Sequence, residues 1–389
     1  MYSLEDLGWD AHFQSQLNID SAGWLPTRVA EEQRGAYVLL SERGPISATV
    51  TGRLMHDATG RKYFPAVGDW VLVEPLPGGG AIIRRLLERR SKLSRKTAGE
   101  RTDEQIIAAN VDKAFLVTSL NQELNLRRIE RYLAVIWDSG ARPVVVLSKA
   151  DLSTDALSIA KQVQTIAPGV EVLVTSAANG DGVAAVQSYL DPGRTAVFIG
   201  SSGVGKSSLL NRLMSAEVQL VRDIRSDSKG RHTTTSRQMM VLPSGGLVID
   251  TPGLRELRLW DADEGIGQAF AEIDELVARC SFADCSHRAE PGCAVKAALD
   301  EGSLELDRFE SYRKLQREQL FIDSKKDHGL KVTQRKKWKQ IHKDNRQRTS
   351  SWEDSLEFRP APTRVPGIRS EASCGWQSRR ARTPWRRRR

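Results

Sequence analysis

Residues 196 to 214 read Ala196-Val197-Phe198-Ile199-Gly200-Ser201-Ser202-Gly203-Val204-Gly205-Lys206-Ser207-Ser208-Leu209-Leu210-Asn211-Arg212-Leu213-Met214. An apolar run of strand length meets a glycine-serine turn and then an amphipathic pattern, so the stretch is predicted as strand, loop and helix. Gly200 and Gly205 bracket four residues and Lys206-Ser207 follows, the spacing of a loop that wraps phosphate. The glycines let successive N–H groups turn inward, and the new helix adds the positive end of its dipole. Lys206 is expected to reach the β and γ phosphates and Ser207 to offer a hydroxyl to Mg²⁺, with Ser201, Ser202, Gly203, Val204 and Ser208 completing the cradle. The loop alone does not choose a base.

Upstream, apolar runs alternate with helical patterns. Ala114-Phe115-Leu116-Val117-Thr118 precedes a helix over Leu126 to Trp137, and Pro143-Val144-Val145-Val146-Leu147 precedes one over Ala156 to Ile166. Glu171-Val172-Leu173-Val174 and a helix over Val183 to Leu190 follow. Continuous apolar strands separated by helices predict a parallel sheet covered on both faces, with ligand loops at the strands' C-terminal ends. Two of those loops read Ser148-Lys149-Ala150-Asp151 and Thr175-Ser176-Ala177. An Asp at a strand end accepts both the N1 and N2 hydrogens of guanine, and a lysine stem packs on the base. Asp151, Lys149, Ser148, Ser176 and Ala177 are therefore expected to select guanine.

Here the residues resemble the Asn-Lys-x-Asp and Ser-Ala motifs of Ras-like GTPases, with Ser148 in place of the usual Asn. The substitution is expected to weaken one bond to the base and the internal bracing of the loop. Downstream, Gly230-Arg231-His232-Thr233-Thr234-Thr235 supplies a switch threonine for Mg²⁺, Thr234 or Thr235, which spacing does not separate. Asp250-Thr251-Pro252-Gly253 follows the strand Gly246-Leu247-Val248-Ile249, so Asp250 is expected to hold Mg²⁺ through water and the Gly253 N–H to sense the γ phosphate. Compared with the Ras-like order, the base motifs come before the phosphate loop and the switches come last. A doubly wound fold cut at one surface loop and rejoined at its old termini keeps its site, because chemistry depends on proximity in space.

Cys280, Cys285, His287 and Cys293 fall within fourteen positions, and Pro291-Gly292 turns the chain before the last of them. Three thiolates and an imidazole form a closed tetrahedral set, so one structural Zn²⁺ is expected. Cys374 is remote from the other three cysteines and is not expected to be a ligand. Crowded cysteines of this kind suit a metal in a reducing compartment. No apolar run reaches membrane-span length, and Met1-Tyr2-Ser3-Leu4-Glu5-Asp6 lacks the basic-then-apolar order of a secretory signal, so a cytoplasmic protein without a membrane partner is expected.

Between Gly35 and about Lys96 the pattern changes to short alternating runs such as Asp69-Trp70-Val71-Leu72-Val73-Glu74, separated by Gly and Pro turns, which predicts a small five-stranded barrel. Arg53, Lys62, Tyr63, Phe64 and Trp70 either face RNA or fill that barrel. Residues 1–34 show no clear period and read as a leader, and Ser91 to Gln105 as a polar connector. Formal charge is +9, and residues 331–389 hold 18 Lys and Arg against 5 Asp and Glu, which leaves the rest of the chain slightly acidic. A basic end on such a body suggests nucleic-acid contact, and a solvated tail is the alternative.

Barrel, permuted nucleotide domain and Cys-x-x-x-x-Cys-x-His module together resemble the circularly permuted, small-ribosomal-subunit-dependent GTPases of the RsgA or YjeQ type, over about Gly35 to Arg348. The resemblance implies a GTP hydrolase stimulated by the small subunit, which binds its 16S rRNA during late maturation, binds GTP and GDP, and is a monomer off the ribosome. The fold class expected is multidomain: an OB-fold β-barrel, a central α/β permuted P-loop GTPase and a C-terminal helical zinc-binding domain. Boundaries are placed at 1–34 for the leader, 35–96 for the barrel, 97–262 for the GTPase, 263–348 for the zinc domain with its basic last helix, and 349–389 for a disordered Arg/Pro-rich tail. Leu254 occupies the position where Ras-like enzymes with a cis glutamine place it, so intrinsic turnover should be slow and the missing function supplied by His232, by Arg231 or by the ribosome. Two other classes compete: an RNA-binding checkpoint protein with marginal hydrolysis, and an adenine-specific ATPase, against which Asp151 argues.

Overall fold

The computed structural model describes residues 2–18, 23–33, 35–52, 60–96, 104–120, 124–214, 237–251, 262–288 and 290–324. All of them lie in the compact unit Met1–Gly329, and the second unit, Leu330–Arg389, falls outside the described residues together with the tail and the basic run from Lys331.

The N-terminal part is a closed five-stranded barrel of β1 (Leu25–Gln33), β2 (Ala36–Ser41), β3 (Gly44–Val50), β4 (Trp70–Pro75) and β5 (Ala81–Leu86). The strands run in the order β1-β2-β3-β5-β4, and β4 pairs back on β1 in antiparallel register, Leu25 opposite Val73 and Arg28 opposite Trp70. β3 and β5 are the parallel pair, which gives the barrel the topology of an OB fold. Alternating inward residues fill it: Val29, Leu39, Val71, Val73 and Ile83 are fully buried.

Two expectations from sequence are corrected here. The segment expected as a leader carries helix α1 (Ala11–Gln14) and the whole of β1. Leu7, Trp9 and Phe13 are buried against Trp70, with the Trp9 and Trp70 rings edge to face at 4.8 Å. These aromatics serve a core distant in sequence, so they show no local period. The expected connector Ser91–Gln105 contains β6 (Lys92–Lys96), which pairs with β7 (Glu104–Ala109) as a two-stranded ribbon. Of the barrel cations and aromatics singled out from sequence, Trp70 is core and Phe64 half-buried, whereas Lys62 and Tyr63 are exposed; Arg53 lies outside the described residues.

The central sheet contains β8 (Lys113–Ser119), β9 (Arg142–Ser148), β10 (Glu171–Val174), β11 (Thr195–Ile199), β12 (Gln238–Val241) and β13 (Leu247–Asp250) in the order β10-β9-β8-β11-β13-β12. All pairs are parallel except β12 with β13. One face packs Leu116, Val145, Leu147, Val197 and Ile249 against α2 (Leu126–Asp138) and α3 (Ala156–Ile166). The other face packs Phe115, Val117, Val144, Val146, Phe198 and Val248 against α4 (Val183–Gln187) and α5 (Lys206–Met214). Successive side chains point to opposite faces, and both faces are covered, so the strands read as unbroken apolar runs. A single register pair, Glu31 opposite Gln238, joins the barrel to this sheet through β1 and β12.

Buried Arg28 reinforces the junction. Its guanidinium donates to the carbonyls of Gly68 (3.2 Å) and Asn110 (3.2 Å), to Leu7 O and to Thr195 Oγ1 (2.7 Å), so one side chain ties the N-terminal segment, the barrel and β11 together. Burial pulls its pKa down to about 10, opposed by nearby Asp112.

The C-terminal module consists of α6 (Asp263–Ala269), α7 (Ala271–Ala278), α8 (Ala294–Asp300) and a helix α9 described over 306–324. Gly265 lets α6 lie directly on α2, since a Cβ there would sit 1.9 Å from Ala134 O.

Candidate nucleotide site and metal centre

In the sheet order, β8, β9 and β10 succeed one another in one direction from the β8–β11 junction, and β13 lies on the other side of β11. The carboxyl ends of strands at such a reversal leave a crevice, the favoured place for a ligand in a doubly wound sheet. The loops after β9, β10, β11 and β13 all leave at this edge, which brings together segments up to a hundred residues apart.

The loop after β11 turns through Gly200 (φ 147°), Gly203 (φ 81°) and Gly205 (φ 98°), conformations that L side chains rarely adopt. At Gly200 space is decisive too, because a Cβ would lie 2.2 Å from Val117 O. Val204 is buried and anchors the loop, while Ser202, Gly203, Ser207 and Ser208 are exposed and Ser201 is half-buried. Lys206 opens α5 and folds back over the loop, its Nζ donating to Gly200 O and Ser201 O, each at 2.7 Å. Burial lowers the Lys206 pKa and the Asp250 carboxylate raises it; burial raises Asp250 in turn and Lys206 lowers it. Lys206 and Asp250 therefore each favour the charged form of the other, against the effect of burial.

The base motif lies against the phosphate loop. A Cβ built on Gly205 would be 3.7 Å from Ser148 Oγ and 3.9 Å from Lys149 Cε. Ser148 Oγ lies 2.5 Å from Val204 O and 3.2 Å from Thr118 O, so its hydroxyl still braces the base loop against the phosphate loop although the amide of an Asn is missing. Lys149 has positive φ (59°), and the turn Ala150–Leu152 presents Asp151 to solvent. Asp151 accepts a hydrogen bond from buried Ser176, Ala150 N donates to Thr175 O at 3.0 Å, and half-buried Ala177 follows, so the two base loops are coupled. Ser148 and Lys149, at the start of the loop that carries Asp151, thus stand beside the loop that carries Lys206.

Asp250 ends β13, and Ser207 lies in the first turn of α5 after the loop that leaves the adjacent strand β11; a carboxylate and a hydroxyl are hard-oxygen ligands of the kind Mg²⁺ takes. His232, Thr234, Thr235, Gly253, Arg231 and Leu254 lie outside the described residues.

The four sequence-predicted metal ligands converge: one ligand atom each from Cys280, Cys285, His287 and Cys293 lie within 4.8 Å of one another. A tetrahedron with metal–sulfur bonds of about 2.3 Å and metal–nitrogen bonds of about 2.0 Å has sulfur–sulfur edges of about 3.8 Å and sulfur–nitrogen edges of about 3.5 Å. Cys280 Sγ is 3.9 Å from Cys293 Sγ, and His287 Nδ1 is 3.6 Å from Cys280 Sγ and 3.5 Å from Cys293 Sγ. The cluster fits one metal ion.

Local structure holds these ligands in place. His287 takes positive φ (58°), and Glu290 secures that bend by accepting from Ser286 N at 2.8 Å and Arg288 N at 2.9 Å. Gly292 (φ 69°) packs where a Cβ would meet Ser281 Oγ at 2.2 Å, and Cys293 caps α8 by accepting from Lys296 N at 3.3 Å. Sequence reasoning missed Glu290, although its place among the ligands was a usable signal.

Comparison with known proteins follows the same lines. A family model described as RsgA GTPase matches residues 86–260. A protein of Opitutus terrae named small ribosomal subunit biogenesis GTPase RsgA is 48% identical, covering 89% of this chain and 98% of its own. One of the same name from Streptomyces avermitilis is 46% identical over 87% and 91%. Among solved structures, YjeQ from Thermotoga maritima superimposes with a TM-score of 0.58 at 29% identity, covering 76% of this chain and 99% of that one. YloQ, described as a circularly permuted GTPase, gives 0.56 at 25% identity, over 79% and 98%.

Proposed function

This chain belongs to the RsgA GTPase family, and from that premise we infer that it hydrolyses GTP to GDP and phosphate in the biogenesis of the small ribosomal subunit. The observation that carries the reading is the meeting of the Ser148–Asp151 loop with the Gly200–Lys206 loop at one sheet edge despite their reversed chain order. In our assignment the backbone of Gly200–Ser208 and Lys206 hold the phosphates. Asp151, Lys149, Ser148, Ser176 and Ala177 hold guanine, and Gly253 senses the γ phosphate.

Ser207, Asp250 and Thr234 or Thr235 would hold Mg²⁺, which neutralises phosphate charge when bound. Cys280, Cys285, His287 and Cys293 would hold one structural Zn²⁺. We assign 97–262 to the GTPase, 263–348 to the zinc domain and 349–389 to a tail, with β1 belonging to the barrel that precedes them. The partner is the small subunit through its 16S rRNA. The protein acts in the cytoplasm, as a monomer off the ribosome; no helix among the described residues is long and apolar enough to cross a membrane.

Hydrolysis is slow alone, because Leu254 cannot align a water, and docking on rRNA orders the switch and brings His232 to it. Single-turnover phosphate release with and without small subunits tests this: the subunits should accelerate wild-type protein, and His232→Ala should lose the acceleration while still binding nucleotide. Unchanged stimulation in the variant removes His232 from the mechanism. No acceleration of the wild type leaves nucleotide as a ligand only.

Asp151→Asn tests the base assignment. The carboxamide presents one acceptor and one donor, which matches the C2 carbonyl of xanthine and leaves the guanine amino group without its partner. GDP affinity should fall by roughly ten- to a hundredfold, the loss of a charge-assisted hydrogen bond, while xanthosine diphosphate gains. Competition against a fluorescent nucleotide reads both, and an unaltered preference contradicts the assignment.

A further inference from the structure

The first turns of α2 carry Arg127, Arg128 and Arg131, and its first turn has no acidic residue. Cations at a helix N-terminus oppose the helix dipole, so each calls for a compensating partner. Arg127 has one in the buried carboxylate of Glu130, at 2.5 Å. Arg131 has one in Glu318 of α9, held by two hydrogen bonds of 2.8 and 2.5 Å. Glu130 is also bound at 2.9 Å by Arg308 of the C-terminal module, which reaches on to Glu272 at 2.6 Å.

Arg128 differs from both. It is exposed, it forms no ion pair with a described residue, and its Nη1 points at Ser201 Oγ, 3.4 Å away, in the phosphate loop. Its backbone is fixed, since the N-cap Asn125 Oδ1 accepts from Arg128 N at 2.9 Å. Among the described residues this guanidinium has no carboxylate partner and lies beside the loop after β11, and a nucleotide's outer phosphate would supply an anion there.

We propose that Arg128 is a second cation of the phosphate site, contacting the terminal phosphate of GTP from the Ser201 side, on a helix whose position is set by its ion pairs with the C-terminal module. The proposal rests on the assignment of Gly200–Ser208 as the phosphate loop. It provides a short mechanical route: a displacement of α9 passes through Glu318 and Arg131, and through Arg308 and Glu130, to a cation over the γ phosphate.

The test uses the full chain and equilibrium titration with fluorescent GDP and a non-hydrolysable GTP analogue. Arg128→Ala should weaken the analogue about tenfold more than GDP, the size of one exposed charge-assisted contact, and Arg128→Lys should recover part of the difference. Glu318→Ala, which releases Arg131, should show the same bias against the analogue in smaller measure. Equal changes for both nucleotides in Arg128→Ala overturn the proposal alone, and an unchanged ratio in Glu318→Ala removes the link to the C-terminal module. Wild-type protein that binds neither nucleotide overturns the phosphate-loop assignment with it.

Discussion

Replacing Lys206 with Ala is expected to abolish measurable GTP turnover and to weaken GTP binding by roughly two to three orders of magnitude, the scale of losing a principal phosphate cation from an organised site. The Lys206 ammonium donates to Gly200 O and Ser201 O at 2.7 Å, so it lies over the loop. Burial lowers its pKa and Asp250 opposes that, favouring the charged ammonium. Its contacts are to loop carbonyls and not to core side chains, so the variant should keep wild-type circular dichroism. Calorimetric titration and phosphate release measure the two effects. A variant that binds GTP within a few-fold of wild type would show that the ammonium is not part of the phosphate cradle.

The second large effect concerns the metal cluster. Cys293→Ser should lower zinc content from about one per chain to a small fraction of that, because a closed four-ligand site loses its most buried thiolate. The ligands join the end of α7 to the start of α8 beside the buried side chains of Ile273, Val295, Phe309 and Tyr312. A metal there crosslinks the two helices. The module should become protease-sensitive, and its thermal transition should fall by roughly 10 °C or more, as expected when several kcal/mol are removed from a small unit. Metal analysis by atomic emission and limited proteolysis read the outcome. GDP binding should survive, since the base and phosphate loops rest on the central sheet. Full zinc content in the variant would dismiss Cys293 as a ligand.

What could be read in the sequence was chemistry confined to a few consecutive residues. Gly200 to Ser208, Ser148 to Asp151 and Cys280 to Cys293 each declare their use because residue type and spacing are themselves the requirement. The parallel sheet was legible because burial on both faces erases alternation, as in Val144-Val145-Val146-Leu147. Features made by distant partners were not legible. Trp9 and Phe13 read as scattered apolar residues until Trp70 gives them a core. Arg28 reads as one more surface cation, yet it is buried among four carbonyl or hydroxyl oxygens from the N-terminal segment, the barrel and the central sheet. In the ribbon of β6 and β7, Leu93 and Ile107 are buried beneath an outer face whose Lys and Arg resemble a linker. Ser148 carried a misleading cue: a missing amide suggested a loosened loop, but the hydroxyl bonds to Val204 O.

The barrel closes on itself and β12 meets β1 at Gln238 opposite Glu31, so among the described residues the far end of the long sheet is the short strand β10, Glu171–Val174. That strand offers a stray chain four residues of backbone, with a carboxylate at its start, which is a poor template for strand addition. At that end of the sheet an incompletely folded neighbouring chain would find little backbone to pair with.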